Sequence, residues 1–171
     1  IVRRLLADRV SDPALLAQAL TPPDLGYLAA IPEVIDADGV VTLRQGMTDI
    51  GTGSYTILAQ IVSETLGVPI KQIRVELGDS AFPPAPGSGG SFGAASAGSA
   101  VLDAGRTLGA KLAALAVNDP RSPLQGGDAA KAVFRDGAIA IENRSERLAE
   151  LVSRAAPDGV EADGRVVPGG E

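Results

Sequence analysis

The sequence predicts an α/β or α+β fold, a mixed sheet with hairpins and packed helices, on three observations. Apolar residues alternate at period two in several short runs, two pairs of these runs flank Asp-Gly turns, and stretches of helical spacing stand between them. Strands interleaved with helices favour packed layers over a helical bundle. At 171 residues the chain is long enough to bury a core, since burial on folding reaches about two-thirds of the unfolded surface near this size. Aromatics make up 3% and Trp is absent, so the core must be aliphatic.

Residues 1–30 read as a helical N-terminal segment and 31–171 as the main unit. Asp12-Pro13 is an N-cap followed by proline at the first helical position, Leu15, Leu16 and Leu20 give an apolar side, and Thr21-Pro22-Pro23 stops the helix. Val34-Ile35 and Val41 with Leu43 then flank Asp36-Ala37-Asp38-Gly39 as a hairpin. Ile57, Leu58, Ile61, Val62, Thr65 and Leu66 fall at helical spacing, with Gly67 as C-terminal cap and Pro69 beyond. Lys71 to Gly78 is a further strand, with Ile73, Val75 and Leu77 on one face. A stretch rich in proline and glycine, Ala81 to Gly98, opens a long helix whose stripe is Val101, Leu108, Leu112 and Leu115, ended by Asn118-Asp119-Pro120. A polar linker from Arg121 to Asp128 leads to a second hairpin around Asp136-Gly137. Ser145 is expected to cap a short helix using Leu148, Leu151 and Val152, and Val160 to Val167 to form a last strand.

Composition excludes several functions. A net charge of −6 without a dense Lys/Arg cluster lacks the footprint of a nucleic-acid binder. Without Cys or His there are no disulfides, no Cys-held iron–sulfur clusters, no common zinc site and no His-based triad. Any metal must arrive inside a cofactor or sit on oxygens. No stretch has the roughly 18 apolar residues of a membrane span, and no signal peptide is legible, so a cytoplasmic location is expected, or a periplasmic one through a partner's signal. A first residue other than Met and the closing Gly169-Gly170-Glu171 suggest a segment of a longer polypeptide.

Two loops stand out, Gly51-Thr52-Gly53-Ser54 and Pro86-Gly87-Ser88-Gly89-Gly90-Ser91, each just before an expected helix. Glycine permits close approach, and helix N-termini carry unsatisfied N–H donors, so a phosphate is the natural guest of both. Neither matches a P-loop or a dinucleotide fingerprint. On composition alone both also read as connectors, the reading of a non-catalytic interaction or scaffold domain. Glu64, Glu76 and Asp79 are scattered, Gln45, Asp49 and Gln60 say little singly, and no general base or metal-ligand spacing stands out.

Taken together, Met47-Thr48-Asp49-Ile50-Gly51-Thr52-Gly53-Ser54-Tyr55-Thr56-Ile57-Leu58-Ala59-Gln60, Gly67-Val68-Pro69, Val75 to Ser80 and Pro86 to Gly98 resemble the molybdenum-cofactor-binding subunit of the xanthine dehydrogenase and aldehyde oxidoreductase family. The resemblance covers residues 34 to 167, most strongly from Met47 to Val101. It implies a molybdopterin cofactor carrying molybdenum, in the cytosine dinucleotide form, and oxidative hydroxylation of an aldehyde or N-heterocycle. Iron–sulfur clusters and FAD would sit on partner subunits or domains. By motif position Gly51, Thr52 and Gly53 would lie against the pterin or the metal's oxygen ligands, and Ser88, Gly89, Gly90 and Ser91 would hold pterin and phosphate. Thr52 departs from the glutamine that many members carry there. The family's catalytic glutamate is expected outside this chain, so the chain by itself is expected to be inactive.

Overall fold

The computed structural model describes residues 29–83, 85, 87–89 and 93–166, with side chains from residue 34 onward. The helix expected around Leu15, and the site candidates Gly90 and Ser91, lie outside the described residues. The first strand, β1 (Ala29–Ile35), starts two residues before the expected boundary and turns through Asp36–Gly39 into β2 (Val41–Gln45). The Asp36 carboxylate accepts the N–H groups of Asp38 and Val40, both at 2.9 Å, while Gly39 takes φ +77°, which explains the Asp and Gly at these places.

Helix α1 (Ser54–Leu66) crosses from β2 to β3 (Ile73–Leu77), which pairs parallel to β2. Gly67 ends the helix at φ +62°. The long helix α2 (Gly93–Asn118) follows, then the hairpin β4 (Val133–Arg135) and β5 (Ala138–Ile141), strand β6 (Arg144–Arg147), helix α3 (Leu148–Ala155) and β7 (Val160–Val166). The strand order is β3-β2-β1-β7 in the larger sheet and β4-β5-β6 in the smaller. Thus the last strand returns to the first, antiparallel along its whole length.

Val41 and Leu43, with no exposure, meet Leu58, Val62 and Leu66 of α1 and Val101, Leu108 and Leu112 of α2 in one aliphatic core. Helix α2 lies across β7, β1 and α1, and its buried face is wider than the expected leucine stripe. Ala97, Ala100, Ala104 and Ala116 are fully buried, because small residues let the helix press on its neighbours. Leu115 is only partly buried. Lys111 Nζ donates to the Glu161 carbonyl (2.7 Å) and the Arg165 N–H donates to Asp103 (3.0 Å), so α2 also satisfies backbone groups of β7.

Two expectations are corrected near the C-terminal half. Ser145 lies inside β6, and α3 starts after Arg147 with no side-chain cap, so Ser145 is not its N-cap. Residues 121–128 are a series of hydrogen-bonded turns with Ser122 and Leu124 buried, and not a loose linker. Arg154 of α3 explains this order. Its guanidinium bonds Asp119 (2.6 Å) and Glu146 (2.5 Å), and Glu146 in turn accepts from the Ser122 hydroxyl (2.7 Å). Among the described residues no helix is long and apolar enough to cross a membrane.

Candidate functional site

The first glycine loop leaves β2 and runs over Met47 to the start of α1. Asp49 Oδ1 accepts the N–H groups of Gly51 and Thr52, both at 2.8 Å, and the Thr52 hydroxyl at 3.2 Å. Gly51 and Gly53 take φ +95° and +79°, and a Cβ built on either would meet no atom within 4 Å. Glycine serves the backbone conformation here, and the loop's outer side stays open. The sequence expectation that this loop offers its N–H groups to an anion is corrected for Gly51 and Thr52. Those of Gly51 and Thr52 turn inward to Asp49, whose negative charge also disfavours a phosphate alongside.

Partial burial works against the charged form of Asp49, but the N–H groups of Thr52 and Gly51, the Thr52 hydroxyl and the Tyr55 N–H together hold its carboxyl below the ordinary range. A carboxyl whose folded value is depressed contributes stability above its unfolded value, about pH 4, and loses it as pH falls through the folded value. Asp49→Asn is accordingly expected to flatten the acid limb of the stability curve below about pH 4, measured by urea unfolding at stepped pH.

The second loop is drawn back over the end of β2. The Gly46 N–H donates to the Pro83 carbonyl (3.1 Å), Asp79 accepts the Ala81 N–H (2.8 Å), and the Ser88 hydroxyl donates to the Thr48 carbonyl. A Cβ on Gly93, the first residue of α2, would stand 2.7 Å from Met47 Cε, so a larger residue there would displace the end of the Met47 side chain. Between the two loops lies a cavity of about 360 Å³. Met47, Ile57, Leu58 and Ala97 give it apolar walls, and Thr52, Ser54, Ser88 and Gly89 its polar ones. Of the candidates named from sequence, Thr52, Ser88 and Gly89 converge on this cavity, whereas Gly51 and Gly53 shape the loop without lining it. No ionisable side chain lines it among the described residues.

The described geometry coincides with a family match: residues 28–168 fit the molybdopterin cofactor-binding domain. The chain belongs to that family. This molybdopterin cofactor-binding domain is 44% identical over 119 residues to the aldehyde oxidoreductase molybdenum-binding subunit PaoC of Escherichia coli (strain K12), covering 70% of this chain and 15% of that protein. It is 40% identical over 86 residues to the nicotine 6-hydroxylase large subunit of Paenarthrobacter nicotinovorans, covering 49% of this chain and 10% of the relative. Among solved structures, reconstituted CO dehydrogenase from Oligotropha carboxidovorans matches with a TM-score of 0.70 at 25% identity over 84% of this chain and 18% of that one. Quinoline 2-oxidoreductase from Pseudomonas putida 86 shares the fold, with a TM-score of 0.70 at 22% identity over 83% of this chain and 19% of that one. The chain thus spans a small part, 15% and 10%, of the two curated relatives.

Two residues of the molybdopterin cofactor-binding domain escaped the sequence reading. Asp49 organises the first loop, and the pattern Asp49-Ile50-Gly51 carries the signal, since Asp bonds backbone N–H groups two and three residues on. Gln45 is fully buried with neither amide atom partnered among the described residues, which no periodicity rule anticipates.

Proposed function

We propose that this domain seats the pterin of a molybdenum cofactor, in its cytosine dinucleotide form, between the loop Gly51-Thr52-Gly53 and the segment 88–91. It does so as part of a larger subunit that hydroxylates an aldehyde or an N-heterocycle. The observation that carries the reading is the convergence of Thr52, Ser88 and Gly89 on one cavity within a family defined by molybdopterin binding. The residues fit a flat, polar heterocycle. Apolar walls from Ile57 and Leu58 suit ring faces, hydroxyls suit ring edges, and the open outer side of Gly51 and Gly53 leaves room beside them. At about 360 Å³ the cavity has the size of a small-molecule site but not of a whole dinucleotide. The nucleotide half then extends past Gly89 toward Gly90 and Ser91 or onto other parts of the subunit.

When bound, the cofactor would supply the two-electron oxidation. This chain's residues contribute seating, orientation and exclusion of water. The family resemblance implies that electrons would leave through iron–sulfur and FAD partners and that the proton-accepting base would lie elsewhere in the subunit, in keeping with a chain that has no Cys to hold such a cluster. Limited proteolysis with elastase tests the reading on the full-length protein. Cleavage between Ala81 and Gly98 is expected in cofactor-free protein and suppressed in the loaded form. Equal cleavage in both forms would reduce this stretch to a connector.

A further inference from the structure

The hydroxyl protons around the cavity are already committed, and this determines what the cavity can read. Asp49 is ionised at neutral pH and can only accept, so the Thr52 hydroxyl gives its single proton to Asp49 Oδ1. Thr52 Oγ1 and Ser54 Oγ lie 3.1 Å apart. With the Thr52 proton spent, Ser54 must be the donor of that pair, and its own proton is spent in turn. Ser54 is only 7% exposed and lines the cavity, so its hydroxyl has lone pairs alone to offer there. On the other loop Ser88 gives its proton to the Thr48 carbonyl, a group that can only accept, and it too keeps only lone pairs for the cavity.

From these bonds we infer that Ser54 and Ser88 make the cavity a reader of hydrogen-bond donors, selecting the amino-bearing edge of a pterin-type ring and rejecting phosphate. A primary amino group carries the N–H donors that acceptor-only serines require. Phosphate oxygens, all acceptors, would meet lone pairs from the serines of both loops and the Asp49 charge behind the first, with no hydroxyl proton to take. The inference rests on the proposed seating of the pterin and adds which edge enters first.

The test uses the full-length protein isolated without cofactor, titrated with pterin and with lumazine, in which an acceptor oxygen replaces the 2-amino donor. Binding is followed by ligand fluorescence, with inorganic pyrophosphate as competitor. The wild type is expected to bind pterin in preference to lumazine, and pyrophosphate at equal concentration is expected not to displace it. Ser54→Ala should lower the pterin-to-lumazine ratio by about three- to tenfold, the value of one hydrogen bond. Thr52→Val should lower it too, because the freed Ser54 proton can then turn to the cavity and favour an acceptor. Ser88→Ala gives the same reading from the other loop should Ser54→Ala fail to fold. An unchanged ratio in folded Ser54→Ala and Ser88→Ala, or displacement of pterin by pyrophosphate, would overturn the inference. That outcome is distinguishable from failure of the seating itself, in which the wild type binds neither ring and carries no pterin as isolated.

Discussion

Gly67→Ala is expected to lower stability by about 2–5 kcal/mol, combining a left-handed backbone penalty of roughly 1–2 kcal/mol with overpacking of about 1–3. Gly67 holds φ +62°, and an added Cβ would fall on the backbone of Phe134 and Arg135. Backbone cannot rotate aside as a side chain can. The same point is held by the Gly137 N–H, which donates to the Gly67 carbonyl at 2.7 Å, so the C-terminus of α1 and the β4–β5 hairpin would separate together. Against a typical net stability of about 5–15 kcal/mol this is a large share. Gly53→Ala is the control, because φ is +79° there but a Cβ meets nothing within 4 Å. It should cost only the conformational part, about 1–2 kcal/mol. Urea unfolding of both variants separates the steric from the conformational contribution, and equal losses would refute the close packing of Gly67 on β4.

Gly89→Val is expected to reduce molybdenum and pterin retention in the full-length protein more than tenfold while leaving the circular dichroism spectrum unchanged. Gly89 lines the cavity, and an isopropyl group there would crowd the wall of the space that the seating reading gives to the ring. Gly89 itself is not part of the aliphatic core around Leu43, Leu58 and Leu108, so the fold is not expected to depend on it. Ser91→Ala should do less, because a single hydrogen bond contributes about 0.5–1.5 kcal/mol net. Full loading of Gly89→Val would remove this loop from the seat.

Much of the local structure was legible because it follows from local chemistry. Asp36 to Gly39 announces a hairpin, and Gly67 at φ +62° ends α1 where the apolar spacing of Leu58, Val62 and Leu66 stops. What was not legible depends on contacts distant in sequence. Nothing near Val160 says that β7 pairs with β1, a partner more than 120 residues earlier. The order of residues 121–128 comes from Arg154 reaching Asp119 and Glu146, which no reading of the segment alone can supply. Ser145 looked like a cap because Ser precedes an apolar run, but pairing with Ala140 in the sheet claimed it first. The site was half visible. Thr52, Ser88 and Gly89, named from motif position, line one cavity, while the direction of the Thr52 hydrogen bond, and with it the inward turn of the first loop, required the position of Asp49.

The central claim, that this domain seats a molybdenum cofactor, is tested most directly by the metal and pterin content of the full-length protein, co-expressed with the machinery that makes the cofactor. Elemental analysis and fluorescence of the oxidised, acid-released pterin should each approach one equivalent per chain in the wild type, and both should fall together in Gly89→Val. A full-length wild-type protein that folds yet carries neither molybdenum nor pterin would contradict the account.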